Sequence, residues 1–346
     1  MKVLTIVIPT YNVEKYLERC LNTIVYDEKA LKDIEVIIVN DGSKDNSLKI
    51  AKEYEKKYKD SIIVIDKENG GHGSTINVGL SKATGKYFRV IDSDDWVNID
   101  EFGKYIEDLK KHDEDIILTN YSRELLYSGE KILFNYENLD YNKTYDLEKF
   151  DYKLLGLNYF FMATSTFKTE KLKKANFKLD EKTFYVDMEF ILLPFLEMKD
   201  MCYLNYDIYR YFIGRLEQSI NIQSYVRNRK HHEKVLKRLL EFYSDIKIKT
   251  GKKSYIYNIL LQLINTHYII YCKAKLNNAE DKKEIREFDL YLKANFPKIY
   301  EDVRNSSRYI KWNQKTNFVF SQFGNNMLSR IADKVDFRAK ASGGEK

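Results

Sequence analysis

The N-terminal third of the chain alternates between two hydrophobic periods. Apolar, mostly β-branched runs at 3–8, 34–39, 62–65, 87–91 and 116–119 read as strands buried on both faces. Between them, apolar positions recur every three or four residues. Val13, Tyr16, Leu17, Cys20, Leu21 and Ile24 form one such set, and Leu48, Ala51, Tyr54 and Tyr58 the next. Ile76, Gly79, Leu80 and Ala83 form a third, and Phe102, Tyr105, Ile106 and Leu109 a fourth. That spacing predicts a helix after each strand. Regular β-α alternation specifies an α/β fold with a mostly parallel sheet and helices on both faces. From about 120 to 215 the pattern loosens into short aromatic strands and one helix at 188–197. From about 220 onward it is almost entirely helical, with Val235, Leu236, Leu239 and Leu240, then Ile256, Ile259, Leu260, Leu263, Ile264 and Tyr268. The expected organisation is an α/β domain over 1–219 and a mainly α-helical domain over 220–346.

Each of the first four strands ends in a motif that no helix or strand requires. These are Pro9-Thr10-Tyr11-Asn12, Asn40-Asp41-Gly42-Ser43, Asn69-Gly70-Gly71-His72-Gly73-Ser74 and Asp92-Ser93-Asp94-Asp95. In open parallel sheets ligands bind outside the carboxyl ends of the strands, so all four motifs should meet at one edge. The last puts three carboxylates within four residues at the end of an apolar run. Hard oxygen ligands in that number suit a divalent cation whose shell is completed by nucleotide phosphates. A solvated turn, with Asp94 or Asp95 capping the next segment, is the alternative. No GxGxxG follows the first strand and no GxxxxGK[ST] is present, which disfavours hydride transfer and P-loop phosphoryl transfer.

Composition narrows the class further. At 346 residues, 44% apolar and 32% charged, the chain is that of a soluble globular protein. The net charge of +6 is concentrated in Arg227, Arg229, Lys230, Lys234, Lys237 and Arg238 and again in 247–253. Such a run is a solvated helix face, or it meets an anionic substrate or membrane surface. No aromatic-basic RNA motif or zinc-finger spacing occurs, which argues against nucleic acid. Three scattered cysteines without CxxC indicate neither disulfides nor a cysteine zinc site and fit a reducing cytoplasm. The N-terminus enters a strand without a signal peptide. Residues 255–272 are interrupted by Asn258, Gln262, Asn265 and His267, as in a buried helix rather than a membrane span. The stretch from Phe318 to Arg338 is amphipathic and basic. It suits peripheral docking on anionic lipid at the inner face of the membrane, or packing on its own domain.

In order and spacing the motifs Val7-Ile8-Pro9-Thr10-Tyr11-Asn12, Val39-Asn40-Asp41-Gly42-Ser43, Glu68-Asn69-Gly70-Gly71 and Asp92-Ser93-Asp94-Asp95 resemble the family 2 glycosyltransferases with the GT-A fold. The resemblance covers about residues 3–120 strongly and continues more weakly to about 220. It implies a Rossmann-like central sheet and an inverting transfer of one sugar from a nucleotide-sugar, of UDP type, to a glycan or lipid-linked acceptor in bacterial surface-polysaccharide synthesis. On that resemblance Pro9, Tyr11 and Asp41 hold the nucleobase. Asp92 and Asp94, with Ser93 between them, hold Mn²⁺ or Mg²⁺ against the diphosphate. The third metal ligand is open among His231, His232 and Gln218. Asp187 in Val186-Asp187-Met188-Glu189 takes the place of the general base, with Glu189 as alternate. Arg215 stands where related enzymes close a loop over the diphosphate. Asn77, Asp95 and His72 fall at donor-sugar positions, although the Ala-Arg-Asn of many members is here Thr75-Ile76-Asn77. The QxxRW motif of processive synthases is absent, so one sugar per encounter is expected. The helical C-terminus is expected to serve acceptor recognition, homo-oligomer formation or membrane contact. A sugar nucleotidyltransferase is the rival enzyme, but it calls for a glycine-rich basic loop after the first strand. A non-catalytic sugar-nucleotide-binding module is the third reading, and the intact Asp41, Asp92, Asp94 and Asp187 argue against it.

Overall fold

A computed structural model of the chain describes residues 2–156, 159–214, 222–247, 250–273 and 279–318. By packing, the chain divides into two units. The first is Met1–Gln218 with Arg238–Ile256, and the second is Ser219–Lys237 with Tyr257–Lys346.

The first unit is built on the expected alternation: β1 (Leu4–Thr10), α1 (Leu17–Ile24), the single turn α2 (Glu28–Leu31), β2 (Ile34–Asp41), α3 (Ser47–Lys57), β3 (Ile62–Lys67), α4 (His72–Lys82) and β4 (Tyr87–Val90). β5 (Trp96–Val97), α5 (Ile99–Leu109), β6 (Ile116–Leu125), β7 (Lys131–Phe134), β8 (Thr144–Asp146) and β9 (Ser165–Lys168) follow. Then come α6 (Thr169–Lys174), α7 (Asp187–Leu192) and the long β10 (Asp200–Ile213). The helix expected over 188–197 is shorter, because Pro194 ends it and a 3-10 turn at Phe195–Glu197 takes over.

The sheet order is β3-β2-β1-β4-β9-β6-β10-β5, with β7 beside β6 and β8 beside β10. β3, β2, β1 and β4 run parallel, so their carboxyl ends and the four motifs share one edge. β9 inserts antiparallel between β4 and β6, and β10 runs parallel to β6. The carboxyl ends of β6 and β10 therefore reach the same edge. Beneath it, Ile6, Ile8, Val36 and Ile38 pack against Leu17, Leu21, Ile24, Phe102 and Ile106. Full burial of each such side chain contributes about 1.5–3 kcal/mol. Val7 points to the opposite face, towards α4, where a Cβ on Gly79 would lie 2.5 Å from both of its γ-carbons. Arg89, fully buried in β4, ties the mixed half of the sheet together. It donates to Thr119 Oγ1 (3.2 Å) in β6, Thr166 Oγ1 (2.9 Å) in β9 and the Ala163 carbonyl.

Helices dominate the rest of the chain: α8 (Ile222–Arg227), α9 (Arg229–Asp245), α10 (Gly251–Lys273), α11 (Ala279–Asn295), α12 (Pro297–Ser306) and α13 (Arg308–Lys315). No helix among the described residues is long and apolar enough to cross a membrane. Within the second unit, part of the basic run is neutralised. Arg229 pairs with Asp281 (2.9 Å) and Glu284 (2.8 Å), and Lys230 pairs with Glu284 (2.9 Å). His232 and His267 stack with rings 7° apart, their Nδ1 atoms 3.1 Å from one another. Burial lowers His232 to about 4 and takes His267 well below the usual imidazole range, so both imidazoles are neutral and one donates to the other. The segment 319–338 considered for lipid docking lies outside the described residues.

Candidate active site

The first two strand ends are stitched together. Asn12 adopts a left-handed conformation (φ 53°), which an Asx side chain tolerates, and its Oδ1 accepts from Lys44 N at 2.7 Å. Val13 N donates to Ser47 Oγ at 2.9 Å, and Asp45 Oδ2 accepts from Glu14 N at 3.0 Å. This fixes the Pro9–Asn12 turn against the Asp41–Ser43 turn and leaves the Tyr11 ring half exposed at the edge. Pro9 is buried and serves the turn.

Asp41 is buried at the end of β2, and three donors hold its carboxylate. Oδ1 accepts from Lys67 Nζ (2.7 Å) and Gly70 N (2.9 Å), and Oδ2 accepts from Gly71 N (2.8 Å). Of roughly four lone-pair positions on a carboxylate, one on Oδ2 is left for a further donor. Asp41 is thus the clamp of the glycine turn as well as a candidate base contact. The turn is closed from above by the segment 178–183. Lys182 N donates to Gly70 O at 2.6 Å. Gly71 sits at φ 82°, where a Cβ would come within 3.0 Å of the Lys182 backbone, and a Cβ on Gly73 would meet the Asp180 carbonyl at 2.4 Å. Glycine is required at both positions. Asn77 holds the same segment. Its Nδ2 donates to Leu179 O and its Oδ1 accepts from Leu179 N, both at 2.9 Å.

Beyond β4 the acidic residues separate by role. Asp95 is buried, accepting from Tyr209 Oη (2.6 Å) and Phe212 N (2.8 Å). Burial, and then the neighbouring Asp92 charge, push its carboxyl well above the carboxylate range. Ser93 is buried beside it, while Asp92 and Asp94 stay partly open to solvent. Tyr209 follows two register shifts in β10, where such irregularities re-aim side chains. Arg19 braces the turn from below. Its guanidinium lies 3.7 Å from the Trp96 ring centroid and donates to Asp94 O at 3.1 Å.

His72, the first residue of α4, places Nε2 2.9 Å from Asp92 Oδ1. An ionised carboxylate only accepts, so Nε2 carries the proton. Burial works to lower this imidazole, but the Asp92 hydrogen bond and the charges of Asp92, Asp187 and Asp41 outweigh it and raise its pKa. Asp187 opens α7 two residues after Tyr185, whose φ of 68° is strained for a bulky residue. Asp187 itself is exposed, yet the protein around it partly desolvates its carboxyl. This desolvation raises its carboxyl, His72 opposes the rise, and Asp92 adds to it. Glu189, considered as an alternate base, is fully buried. Its Oε2 accepts from Asp180 N (2.8 Å) and from Arg238 (2.9 Å), an anchoring role. Asp41, His72, Asp92 and Asp187 are therefore brought to one place.

The family model described as Glycosyl transferase family 2 matches residues 5–171. Residues 5–171 thus form a glycosyl transferase family 2 domain. Among curated relatives of this family 2 domain, Glycosyltransferase GlyA of Streptococcus pneumoniae is 37% identical over 118 residues, 34% of this chain and 16% of its own. Uncharacterized glycosyltransferase EpsJ of Bacillus subtilis is 29% identical over 212 residues, 60% of each chain. Poly(ribitol-phosphate) beta-N-acetylglucosaminyltransferase TarS of Staphylococcus aureus is 31% identical over 114 residues, 33% of this chain and 20% of its own. The chain thus spans less than two thirds of each. The structure of S. aureus TarS 1–349 in complex with UDP-GlcNAc superposes with TM-score 0.68 at 19% identity, over 94% of this chain and 92% of that one. The fold is GT-A, with a helical C-terminal region.

Several residues of the family 2 domain site lie beyond what the motifs indicate. Tyr209, Arg19 and Lys67 carry no sequence signal except that Lys67 ends a strand, and Arg238 stands out only as part of the basic run. Arg215 and Gln218 lie outside the described residues. His231 and His232 belong to the second unit, and the imidazole that accompanies Asp92 is His72.

Proposed function

We propose that this chain is a metal-dependent inverting glycosyltransferase that moves one sugar from a UDP-sugar to a glycan or lipid-linked acceptor in cell-surface polysaccharide synthesis. The observation that carries the reading is the convergence of Asp41, the Asp92–Asp94 turn, His72 and Asp187 at one sheet edge. The names of the relatives support it, as does the UDP-GlcNAc complex of TarS, which shares the fold.

Asp92 and Asp94 fit a hard divalent cation, Mn²⁺ or Mg²⁺. Both offer carboxylate oxygens on one turn, partly open to solvent, whereas Asp95 is already taken by Tyr209 and Phe212. Bound there, the ion would neutralise charge building on the departing diphosphate. Tyr11 offers a ring to the nucleobase, and Asp41 keeps one acceptor position for a uracil N–H. Asp187 takes the acceptor hydroxyl proton, and its raised pKa makes it a stronger base than a solvated aspartate. His72 faces the donor between Asp92 and Asp187. Asn77 and Asp95 act through the backbone they hold, and Arg215 is assigned to the diphosphate.

Calorimetric titration with UDP, GDP and CDP, with and without Mn²⁺, tests the reading. UDP binding that requires the metal and is lost in Asp94→Ala supports it. Absence of metal-dependent binding to any diphosphate would overturn it.

A further inference from the structure

The β6–β7 hairpin carries a cation that no carboxylate of the described residues neutralises. Arg123 is half-buried near the carboxyl end of β6, with its guanidinium 4.5 Å from the Phe134 ring centroid. Phe134 stacks on Tyr121 at 4.9 Å and 13°. Arg123 Nε is buried and has no hydrogen-bond partner. Among the described residues no carboxylate pairs with this guanidinium. The neighbouring Glu124 faces Arg210 at 3.7 Å, and Asp207 is held by Arg210 (2.6 Å) and Lys131 (3.0 Å). Its described partners, the Tyr121 hydroxyl and the Phe134 ring, are both uncharged and leave Nε unsatisfied, and an arriving anion would supply the missing charge.

Its place in the sheet gives that anion a context. Tyr121 pairs with Tyr209, and two residues further Arg123 pairs with Tyr211. Side chains two apart share a face. Arg123 therefore stands on the face from which Tyr209 reaches Asp95, one step outward. Tyr159 links this spot to Asp187. Burial raises its phenol most, the Asp187 charge adds to the rise and the Arg123 charge opposes it, so both groups lie nearby. The Tyr159 ring lies 4.1 Å from Phe161, which in turn lies 5.9 Å from Tyr121.

We propose that Arg123, with Phe134, Tyr159 and Phe161, forms an acceptor subsite for an anionic polyol or saccharide. The guanidinium takes a phosphate-type group, to which its planar fork is matched, and the rings pack against the carbon skeleton that leads the reacting hydroxyl to Asp187. This assignment rests on the glycosyltransferase reading, because it takes Asp187 as the base. It identifies the acceptor class as charged, where a neutral oligosaccharide would leave Arg123 unexplained.

The test uses the full chain and separates this subsite from the donor diphosphate. Ribitol-phosphate and glycerol-phosphate oligomers, uncharged ribitol, and UDP with Mn²⁺ are titrated calorimetrically into wild type, Arg123→Gln and Arg123→Lys. The expected result is oligomer binding by wild type without ribitol binding, weakened about tenfold or more in Arg123→Gln and partly retained in Arg123→Lys. UDP affinity should be the same in all three proteins. Equal oligomer affinity in wild type and Arg123→Gln overturns the proposal, as does no oligomer binding to wild type. A proportional loss of UDP binding also overturns it, assigning Arg123 to the donor. Thermal melts identify a misfolded Gln variant, in which case the Lys variant, with charge kept and fork lost, decides by the same criteria. Failure of the glycosyltransferase reading would show separately, as absent UDP binding in wild type.

Discussion

Asp41→Asn keeps the shape of the clamp and removes its charge, so it isolates what the carboxylate does for the glycine turn. The native group faces only donors: Lys67 Nζ and Gly70 N on Oδ1, Gly71 N on Oδ2. An asparagine must turn its NH₂ towards one of them. The milder choice places it against Gly71 N–H, leaving one buried donor unsatisfied at about 1–3 kcal/mol and weakening the charge-assisted bond to Lys67. Loss of one partner from a fully buried pair costs about 3–5 kcal/mol. The Lys67 side chain is 23% exposed and can turn partly to water, so we place the net loss at about 3 kcal/mol. For a unit of this size each kcal/mol lowers the melting temperature by about 2–4 °C, so a fall of roughly 6–12 °C is expected. Thermal melts of wild type, Asp41→Asn, Lys67→Met and the double variant test this. The double should lose less than the sum of the singles, with a coupling of about 1–3 kcal/mol. A melting temperature within about 2 °C of wild type, or additive losses, would refute the reasoning.

The raised carboxyl of Asp187 makes the folded state bind a proton more readily than the unfolded chain, so stability falls as pH rises from the ordinary aspartate range through the raised value. Asp187→Asn should therefore melt like wild type in acid, melt higher near neutrality and transfer no sugar; a difference that shrinks as pH rises would contradict this. Wild-type transfer should decline as pH falls through the same window, measured with a saturating donor. Gly79→Ala forces a methyl to 2.5 Å from both γ-carbons of Val7 and should lose about 1–3 kcal/mol in urea unfolding. Adding Val7→Ala should recover part of that loss, and no recovery would mean that the clash lies elsewhere. Arg238→Met leaves Glu189 buried without its cation and should lose about 3 kcal/mol, more at neutral than at acidic pH. Glu189→Gln should restore part of it, and equal losses at both pH values would argue against the ion pair.

The parallel half of the sheet was legible because buried strands and amphipathic helices have different periods, and each strand ended in residues that neither period explains. Asp41, Asp92, Asp94 and His72 lay in those endings. The mixed half was less legible. β9 and β5 are four and two residues long, too short for a period to register. Arg89 sits inside an apolar run and is satisfied by threonines remote in sequence. Asn77 occupies a motif position, yet its amide holds Leu179, a contact 102 residues away that local spacing cannot report. Nor does helical periodicity reveal that Arg238–Ile256 returns to the first unit, where Arg238 meets Asp180 and Glu189.

The closeness of segment 178–183 to the glycine turn has a consequence for exchanging parts between relatives. Gly71 and Gly73 are obligatory because Lys182 and the Asp180 carbonyl stand where a side chain would be. The constraint thus belongs to a pair of segments more than a hundred residues apart. A chimera that imports a different 178–183 under this turn, or a different turn under this segment, inherits either a clash or a gap. Only the two moved together, with Asn77 to fasten them, should transplant as a working module.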